Sequence, residues 1–352
     1  MTIDRTFEAA LQKAIRALEI TGRTSLWEDP SWSTAIPLHP QDTRIWALFA
    51  AIRKGVSIET INQSTGIDTW FLASIARIVE NEKLLVRKKL DRDLLLKSKR
   101  LGFSDLVISA LVNQPVEKTQ ALRKKWSVFP VFKMVDTCAG EFEAETPYFY
   151  STYEQENEAL PEFSHPIIVI GSGPIRIGQG VEFDYGSVHA ARALRKAGEA
   201  AIMVNSNPET VSTDFDASSR LYFEPLDEES ILDILQNESC VLSKKPSSPS
   251  VVVQFGGQTG LNLALPLEKK GYSILGSPGK VIDAASDRDK FEHFLRKEKI
   301  PYPPGMAVKT IKEAMQAARS LEYPLLVRPS YVLGGLSLIH ISEPTRLGMI
   351  SY

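Results

Sequence analysis

The chain has 352 residues, of which 43% are hydrophobic and 24% are charged, and its net charge is −2. This length predicts two or three domains, and the composition is typical of a soluble globular protein. The small net charge gives no reason to expect a nucleic-acid or acidic-membrane partner. Two cysteines, Cys138 and Cys240, are too few for a disulfide framework. No apolar run approaches the roughly 18 residues of a membrane span, and the first residues do not form a signal peptide. These features predict a cytoplasmic protein.

The first third of the sequence has the periodicity of short helices. Apolar residues share one face of a helix over residues 5–19, and residues 41–112 repeat such stripes between brief polar breaks. Five or six short helices predict a small all-α domain. A helix-turn-helix DNA module is the alternative, but the 68–80 helix carries only Arg77 and lacks a basic recognition face.

An aromatic-rich stretch follows over residues 126–152. Its pattern is irregular, and it is too apolar for a free tether. We expect it to cross domain surfaces in extended form.

From residue 165 the pattern alternates between strands and helices. Strands are predicted at 166–170, 200–204, 251–255 and 272–275, and helices at 187–197, 228–238, 260–271, 279–285 and 287–299. This alternation predicts a parallel, Rossmann-like sheet with helices on both faces. Further on, residues 306–308 and 324–328 have strand-like sequences on either side of a helix predicted over 311–321.

Three polar loops follow the predicted strands and should meet at the carboxyl edge of the sheet, where such sheets bind ligands. Glycines allow close backbone approach, and N–H groups at helix N-termini hold anions. The loops therefore predict a site for an anionic or phosphorylated ligand, although a tight turn without a ligand is the alternative. The candidate residues are Gly171, Gly173, Arg176, Gly178, Gln179, Gly180, Asn205, Asn207, Glu209, Thr210, Gly256, Gly257, Gln258 and Thr259.

The first of these loops matches neither common nucleotide motif. A dinucleotide fingerprint requires a third glycine where Arg176 stands, and an acidic residue after the second strand, where Asn205 begins a polar loop. A P-loop requires lysine after Gly178, where Gln179 stands. A nicotinamide-dependent oxidoreductase therefore remains only as an alternative hypothesis.

Five longer motifs point to one family. They are V-D-T-C-A at 135–139, Y-S-T-Y-E at 150–154, I-R-I-G-Q-G-V-E-F-D-Y at 175–185, V-N-S-N-P-E-T-V-S-T-D at 204–214 and R-P-S-Y-V-L-G-G at 328–335. The sequence resembles the large chain of carbamoyl phosphate synthetase over about residues 1–335. In that family the large chain is a tandem of two ATP-using halves, and N-P-E-T-V-S-T-D is typical of the second half, which phosphorylates carbamate.

The resemblance implies the fold class α + α/β and an order of domains. The implied order is the last helix of the first half (1–20), a helical oligomerisation domain (21–145), a linker (146–160), a Rossmann-like pre-ATP-grasp domain (161–285) and the start of an ATP-grasp domain (286–335). The ATP-grasp domain would be truncated.

The resemblance also implies an ATP-dependent carbon–nitrogen ligase that makes carbamoyl phosphate for arginine and pyrimidine biosynthesis. A glutaminase small subunit would supply ammonia, and the helical domain would self-associate. Arg288 and Arg328 match family arginines at ATP, and Gly334 and Gly335 match the start of a loop over its phosphates. The resemblance assigns no catalytic residue here, and the ligands of Mg²⁺ or Mn²⁺ are expected beyond the matching residues.

The resemblance ends after Gly335. Residues 336–346, L-S-L-I-H-I-S-E-P-T-R, resemble the translated end of a transposon sequencing adapter. We expect residues 336–352 to be a non-native tail without stable packing. Met1 aligns with an internal methionine of the family, so we expect a fragment with two artificial ends. Without its metal ligands the fragment should be inactive, and a non-enzymatic helical assembly module is the other alternative.

Overall fold

The first part of the fold is helical. The computed structural model describes residues 2–20, 22–33, 36–142, 144, 146–174, 181–239, 248–321, 323–327 and 339–341. The helices of this part are α1 (Phe7–Ala17), α2 (Arg44–Arg53), α3 (Ile58–Thr65), α4 (Thr69–Arg87), α5 (Arg92–Arg100), α6 (Asp105–Leu111) and α7 (Val116–Lys125), with a short 3-10 helix at Pro30–Ser33. The predicted small all-α domain is confirmed.

Short polar side chains fix where several of these helices begin. The side chains of Ser57, Asp91 and Ser104 each accept a hydrogen bond from a backbone N–H three residues further on. These bonds satisfy donors that a helix start leaves without an intrahelical partner. Helix α3 is followed by Gly66, whose φ of 70° suits glycine.

A single apolar core holds the helices together. Its largest fully buried side chains are Trp46, Phe49, Ile61, Leu72, Ile78, Leu85, Leu95, Phe103 and Ile108. Burial of each large apolar side chain contributes about 1.5–3 kcal/mol to folding. This core explains why the stripes over residues 41–112 fold as one bundle.

A mixed, mainly parallel sheet forms the second part of the fold. Its strands lie in the order β1-β2-β5-β4-β3-β6-β7. The strands are β1 (Val131–Met134), β2 (Tyr148–Thr152), β3 (Ile167–Ile170), β4 (Ala201–Asn205), β5 (Arg220–Phe223), β6 (Ser250–Val252) and β7 (Ser273–Ile274). Strands β2 to β7 pair in parallel with their neighbours, with Ile168 opposite Ile202 and Val251, whereas β1 is antiparallel to β2.

Helices cover both faces of this sheet. Helix α8 (Val181–Lys196) packs on the face that carries Val169 and Met203, and helices α9 (Glu228–Asn237), α10 (Gly257–Lys269) and α11 (Gly279–Ser286) lie on the face of Ile168 and Ile202. Both faces of β3 and β4 are buried, which explains their continuous apolar sequences. The predicted Rossmann-like α/β domain is confirmed.

The stretch over residues 126–152 is more ordered than expected. It was expected to be an extended linker, but it contributes β1 and β2 to the edge of the sheet. Strand β2 joins the parallel ladder through β5, a strand that the sequence pattern did not predict. Aromatic side chains explain this placement, because Phe132 and Phe149 pack against Tyr222 of β5.

The last described part contains α12 (Arg288–Lys297), α13 (Ile311–Leu321), β8 (Leu325–Val327) and β9 (Ile339–Ile341). Strands β8 and β9 form an antiparallel two-stranded sheet. The strand expected over residues 306–308 is absent there, since those residues have no regular structure. No helix in the described part of the chain is both long enough and apolar enough to span a membrane.

Candidate functional site

The candidate site lies at the carboxyl edge of the sheet, where β3 and β6 end side by side. The chain runs from β3 to β4 and β5 on one side, whereas β6 and β7 lie on the other side. Helix α8, which follows β3, and helix α10, which follows β6, pack on opposite faces of the sheet. Doubly wound sheets bind ligands in the crevice at such a switch point.

Asn205, at the end of β4, organises the loops around this crevice. Its side chain is fully buried, and its Oδ1 accepts hydrogen bonds from the backbone N–H groups of Gly173 at 3.1 Å and Ser206 at 2.8 Å. Its Nδ2 donates to the Ser212 hydroxyl at 2.9 Å. Asn205 therefore ties the loop after β3 to the loop after β4, and its buried amide is not available to a nucleotide ribose.

Two of the candidate glycines are required by packing between the loops. A Cβ atom on Gly171 would lie 2.7 Å from Cγ of Asn205, and one on Gly256 would lie 2.5 Å from the carbonyl oxygen of Gly171. Both separations are shorter than van der Waals contact allows. The sequence indicated close approach to a ligand at these glycines, whereas the structure shows close approach between protein segments.

The loop after β4 is held by its own short polar side chains. Asn207 Oδ1 accepts a hydrogen bond from the N–H of Glu209 at 3.0 Å, and the Thr210 hydroxyl donates to the carbonyl oxygen of Asn207 at 3.1 Å. The Glu209 side chain is exposed at the rim. The buried carboxylate of Asp184, on α8, accepts from the N–H of Ser212 at 3.3 Å, a role that the sequence analysis missed.

The loop after β6 leads directly into α10. Gly257 has a φ of 65°, in the left-handed region that favours glycine. Gln258 Nε2 donates to the side chain of Asn262 at 2.8 Å, so this side chain lies along its own helix. The Thr259 hydroxyl donates to Glu19 at 2.5 Å. Glu19 is a second residue that the sequence analysis missed.

The structure thus brings the described candidates of three loops together at one edge of the sheet. Arg176, Gly178, Gln179, Gly180, Arg328, Gly334 and Gly335 lie outside the described residues. Arg288 is exposed at the start of α12. Among the described contacts, no hydrogen bond or ion pair joins Arg288 to the three loops.

The chemistry of the described rim is that of a neutral or anionic surface. Its described side chains include the hydroxyls of Thr210 and Thr259, which donate to the carbonyl oxygen of Asn207 and to Glu19, and the carboxylates of Glu19 and Glu209. Within the described residues, no group of three or more histidine, cysteine, aspartate or glutamate side chains could hold a metal ion. Residues outside these described loops would therefore have to supply the positive charge that neutralises a bound phosphate.

Three sequence models of domain families match successive parts of the chain. "Carbamoyl-phosphate synthetase large chain, oligomerisation domain" matches residues 1–127, "Carbamoyl phosphate synthase preATP-grasp domain" matches 164–284, and "Carbamoyl-phosphate synthase L chain, ATP binding domain" matches 287–347. The chain belongs to the carbamoyl phosphate synthase large-chain family. The resemblance inferred from the five motifs is confirmed. The nicotinamide oxidoreductase hypothesis has no support, since β4 ends in a buried amide rather than an exposed acid.

Curated relatives show the same similarity along almost the whole chain. The carbamoyl phosphate synthase large chain of Thermomicrobium roseum is 53% identical over 343 residues, which are 96% of this chain and 32% of the relative. That of Methanothermobacter thermautotrophicus is 48% identical over 348 residues, which are 99% of this chain and 32% of the relative. The chain therefore spans about a third of the length of these large chains.

The match to the ATP-binding domain model runs to residue 347 and so extends past Gly335, where we expected the resemblance to end. The interpretation of residues 336–352 as a non-native tail stays a prediction, as do the domain boundaries.

Solved structures are more distant. The biotin carboxylase domain of Hydrogenobacter thermophilus 2-oxoglutarate carboxylase, in complex with MgADP, ADP and bicarbonate, is 19% identical with a TM-score of 0.38, over 51% of this chain and 38% of that chain. An L-amino acid ligase from Bacillus licheniformis is 15% identical with a TM-score of 0.32, over 53% of this chain and 41% of that chain. Likenesses of this size carry no argument about function.

Proposed function

We propose that the chain provides part of the second, carbamate-phosphorylating half of a glutamine-dependent carbamoyl phosphate synthetase. In that reaction a carboxylate oxygen of carbamate attacks the γ-phosphorus of ATP, the bond to ADP breaks, and carbamoyl phosphate forms. The rim of loops after β3, β4 and β6 would hold the carbamate side of this reaction. The switch-point crevice lined by these loops, in a domain that matches the family, is the observation that carries the proposal.

ATP would bind mainly on the other side of the crevice. Arg288, Arg328, Gly334 and Gly335 are the residues that would hold it, because phosphoryl transfer depends on positioning and on neutralisation of charge. The exposed guanidinium of Arg288, at a helix N-terminus, suits a phosphate. A bound Mg²⁺ or Mn²⁺ would supply further positive charge to the phosphates, and its ligands would lie outside the residues described here.

The same proposal includes two protein partners and a cellular location. A glutaminase small subunit would supply ammonia, and the helices α2 to α7 would mediate self-association, as the description of their family model suggests. The reaction would take place in the cytoplasm, in the synthesis of arginine and pyrimidines.

The decisive assay runs the second half-reaction backward in a complete large chain that contains these residues. In this reverse reaction ADP attacks the phosphorus of carbamoyl phosphate, which yields ATP and carbamate. Bicarbonate-dependent ATP hydrolysis without ammonia reports on the first half and serves as the internal reference. We expect Glu209→Gln to lower the reverse reaction by at least about tenfold and to leave bicarbonate-dependent hydrolysis within about twofold of the unchanged protein.

The matched control is Glu199→Gln. Glu199 is also exposed and flanks the same strand, β4, but at its amino end, away from the ligand edge of a parallel sheet. It should leave both activities within about twofold of the unchanged protein. The proposal fails if the complete chain does not make ATP from carbamoyl phosphate and ADP, or if the two glutamate variants behave alike.

A further inference from the structure

Glu19 brings a carboxylate from the first helix to the switch point of the sheet. It follows the end of α1, and its Oε2 accepts a hydrogen bond from the Thr259 hydroxyl at 2.5 Å. Its Oε1 lies 2.9 Å from the position that a Cβ atom would take on Gly173. One side chain therefore touches both the loop after β3 and the first turn of α10, although it lies 240 residues away from Thr259 in sequence.

The carboxylate lies where a helix favours an anion. Thr259 is in the first turn of α10, which begins at Gly257, and the N-terminal turn of a helix carries partial positive charge. Gly173, with a φ of 67°, has no side chain that would displace Glu19. The protein thus places its own carboxylate at the edge of the crevice in which the substrate of the proposed function would bind.

The backbone conformation at Glu19 is unfavourable for a glutamate. Its φ is 52°, in the left-handed region, and a residue just after a helix end with this conformation is most often glycine. The conformation costs an L-residue about 1–2 kcal/mol. Helix termination alone would be better served by glycine, so the contact with Thr259 is the feature that explains a glutamate here.

Buried charges fix α1 relative to the sheet. Lys13 Nζ lies 2.8 Å from the buried carboxylate of Glu224 and donates to the carbonyl oxygen of Ser151 at 2.6 Å. One turn further on, Arg16 pairs with Asp227 at 3.1 Å. A shift of α1 would break these pairs, so the position of Glu19 is fixed with respect to the strands.

We propose that Glu19 is a positioning residue for the carbamate side of the site. Its carboxylate holds Thr259, and with it the start of α10, in a fixed position relative to the loop after β3. This inference rests on the proposed function. It means that the first helix, rather than the sheet domain alone, sets the spacing across the crevice.

The test uses Glu19→Gly in the complete large chain, because this substitution separates positioning from stability. Glycine suits the backbone at this position, so the thermal midpoint should stay unchanged or rise. We expect kcat/KM of the reverse reaction to fall by at least about tenfold, since small misplacement of a binding group costs this much or more. The KM for carbamoyl phosphate should rise while the KM for ADP stays unchanged, because ATP is assigned to other residues.

Two further variants sharpen the test. Ser127→Gly is the matched control, because Ser127 also follows a helix end with a positive φ, of 53°, and its N–H also bonds to the carbonyl three residues back. It should leave kcat/KM within about twofold of the unchanged protein. Glu19→Gln keeps an acceptor for Thr259 and should retain more activity than Glu19→Gly.

The outcomes distinguish this inference from the function on which it rests. If the unchanged chain performs the reverse reaction and Glu209→Gln lowers it, but Glu19→Gly stays within about twofold of the unchanged protein, only the positioning role is overturned. A fall in the thermal midpoint together with a rise in both KM values would also overturn it, since that pattern indicates a merely structural role. If the unchanged chain shows no reverse reaction, the proposed function itself fails.

Discussion

Arg123 and Asp233 form an ion pair across the boundary between the helical bundle and the sheet. Nη2 of Arg123, on α7, donates to both carboxylate oxygens of Asp233, on α9, at 2.9 Å. Nη1 of Arg123 donates to Asp105 at 2.8 Å, and Lys99 pairs with Asp105 at 2.7 Å and also with Glu229. These five side chains, here named the interface ion cluster, join α5, α6 and α7 to α9.

Loss of Arg123 should destabilise the protein strongly. Arg123→Met keeps the aliphatic stem but leaves Asp233 and Asp105 buried with one partner fewer. Removal of one member of a buried ion pair costs about 3–5 kcal/mol. All five tryptophans lie between residues 27 and 126, so urea unfolding followed by tryptophan fluorescence reports on the helical side of this boundary.

Arg92→Met is the control for this change. Its side chain is 56% exposed, and it pairs at 3.7 Å with Asp93, which is 94% exposed. Exposed pairs of this kind contribute little, so the loss should stay below about 1 kcal/mol. Adding Asp233→Asn to Arg123→Met should recover part of the lost stability, because it removes the uncompensated charge. Equal losses in the two arginine variants would contradict the cluster's role.

The interface ion cluster should also give stability a distinct pH dependence. Burial, together with the neighbouring carboxylate of Glu229, raises the pKa of Asp233 from 3.8 to about 6, although Arg123 and Lys99 oppose this shift. The pKa of Glu229 is instead lowered to about 2, because Lys99, Arg123 and Arg16 together outweigh its burial. The cluster has two cations for three carboxylates, so the carboxylate with the weaker cationic support is the one that takes up a proton.

The direction of the pH effect of Asp233 follows from how many protons the folded and the unfolded states bind. Between pH 3.8 and about 6 the folded protein holds this proton and the unfolded chain releases it. Its contribution to the free energy of unfolding therefore falls as pH rises through this window, by about 1–3 kcal/mol in total. The difference between the unchanged protein and Asp233→Asn, measured by urea unfolding from pH 4 to 6, isolates this term. A difference that grows in favour of the unchanged protein would contradict it.

Gly256 should tolerate no side chain. An added Cβ would lie 2.5 Å from the carbonyl oxygen of Gly171, and a backbone oxygen cannot move without shifting the loop after β3. Gly256→Ala should lower the unfolding free energy by about 1–3 kcal/mol, the usual cost of overpacking, and should reduce the reverse phosphoryl transfer. Gly305→Ala is the control, because a Cβ at Gly305 meets nothing within 4 Å. Unchanged phosphoryl transfer in Gly256→Ala would show that the loops after β3 and β6 are not part of the site.

Periodicity in the sequence was sufficient to find most of the helices and the strands β3, β4, β6 and β7, because each forms a continuous apolar run or stripe. It missed β5, which begins at the buried Arg220 and has only three further residues, so its apolar run is short. Arg220 is tolerated there because it pairs with Glu238 at 2.6 Å. The fold brings Glu238 to Arg220, and a pattern of a few neighbouring residues cannot show this pairing.

The residues of the candidate site could also be predicted from the sequence only in part. The loops after the strands could be placed from sequence, because parallel strands put their carboxyl ends at one edge. Glu19 could not, since no local signal connects the end of the first helix with Thr259. Asp184 was missed for the same reason: its contact with Ser212 depends on how α8 packs beside the loop after β4.

The strand β9 offers the last prediction. Its residues 339–341 pair only with β8 in the described sheets, and an isolated two-stranded ladder is marginally stable in water. We therefore expect the amides of residues 339–341 to exchange rapidly with solvent, whereas those of β3 and β4, in the centre of the seven-stranded sheet, should be protected. Amide exchange followed by mass spectrometry compares the two sheets in one sample. Protection of residues 339–341 equal to that of β3 would contradict the expectation that residues 336–352 lack stable packing, and with it the interpretation of this stretch as a non-native tail.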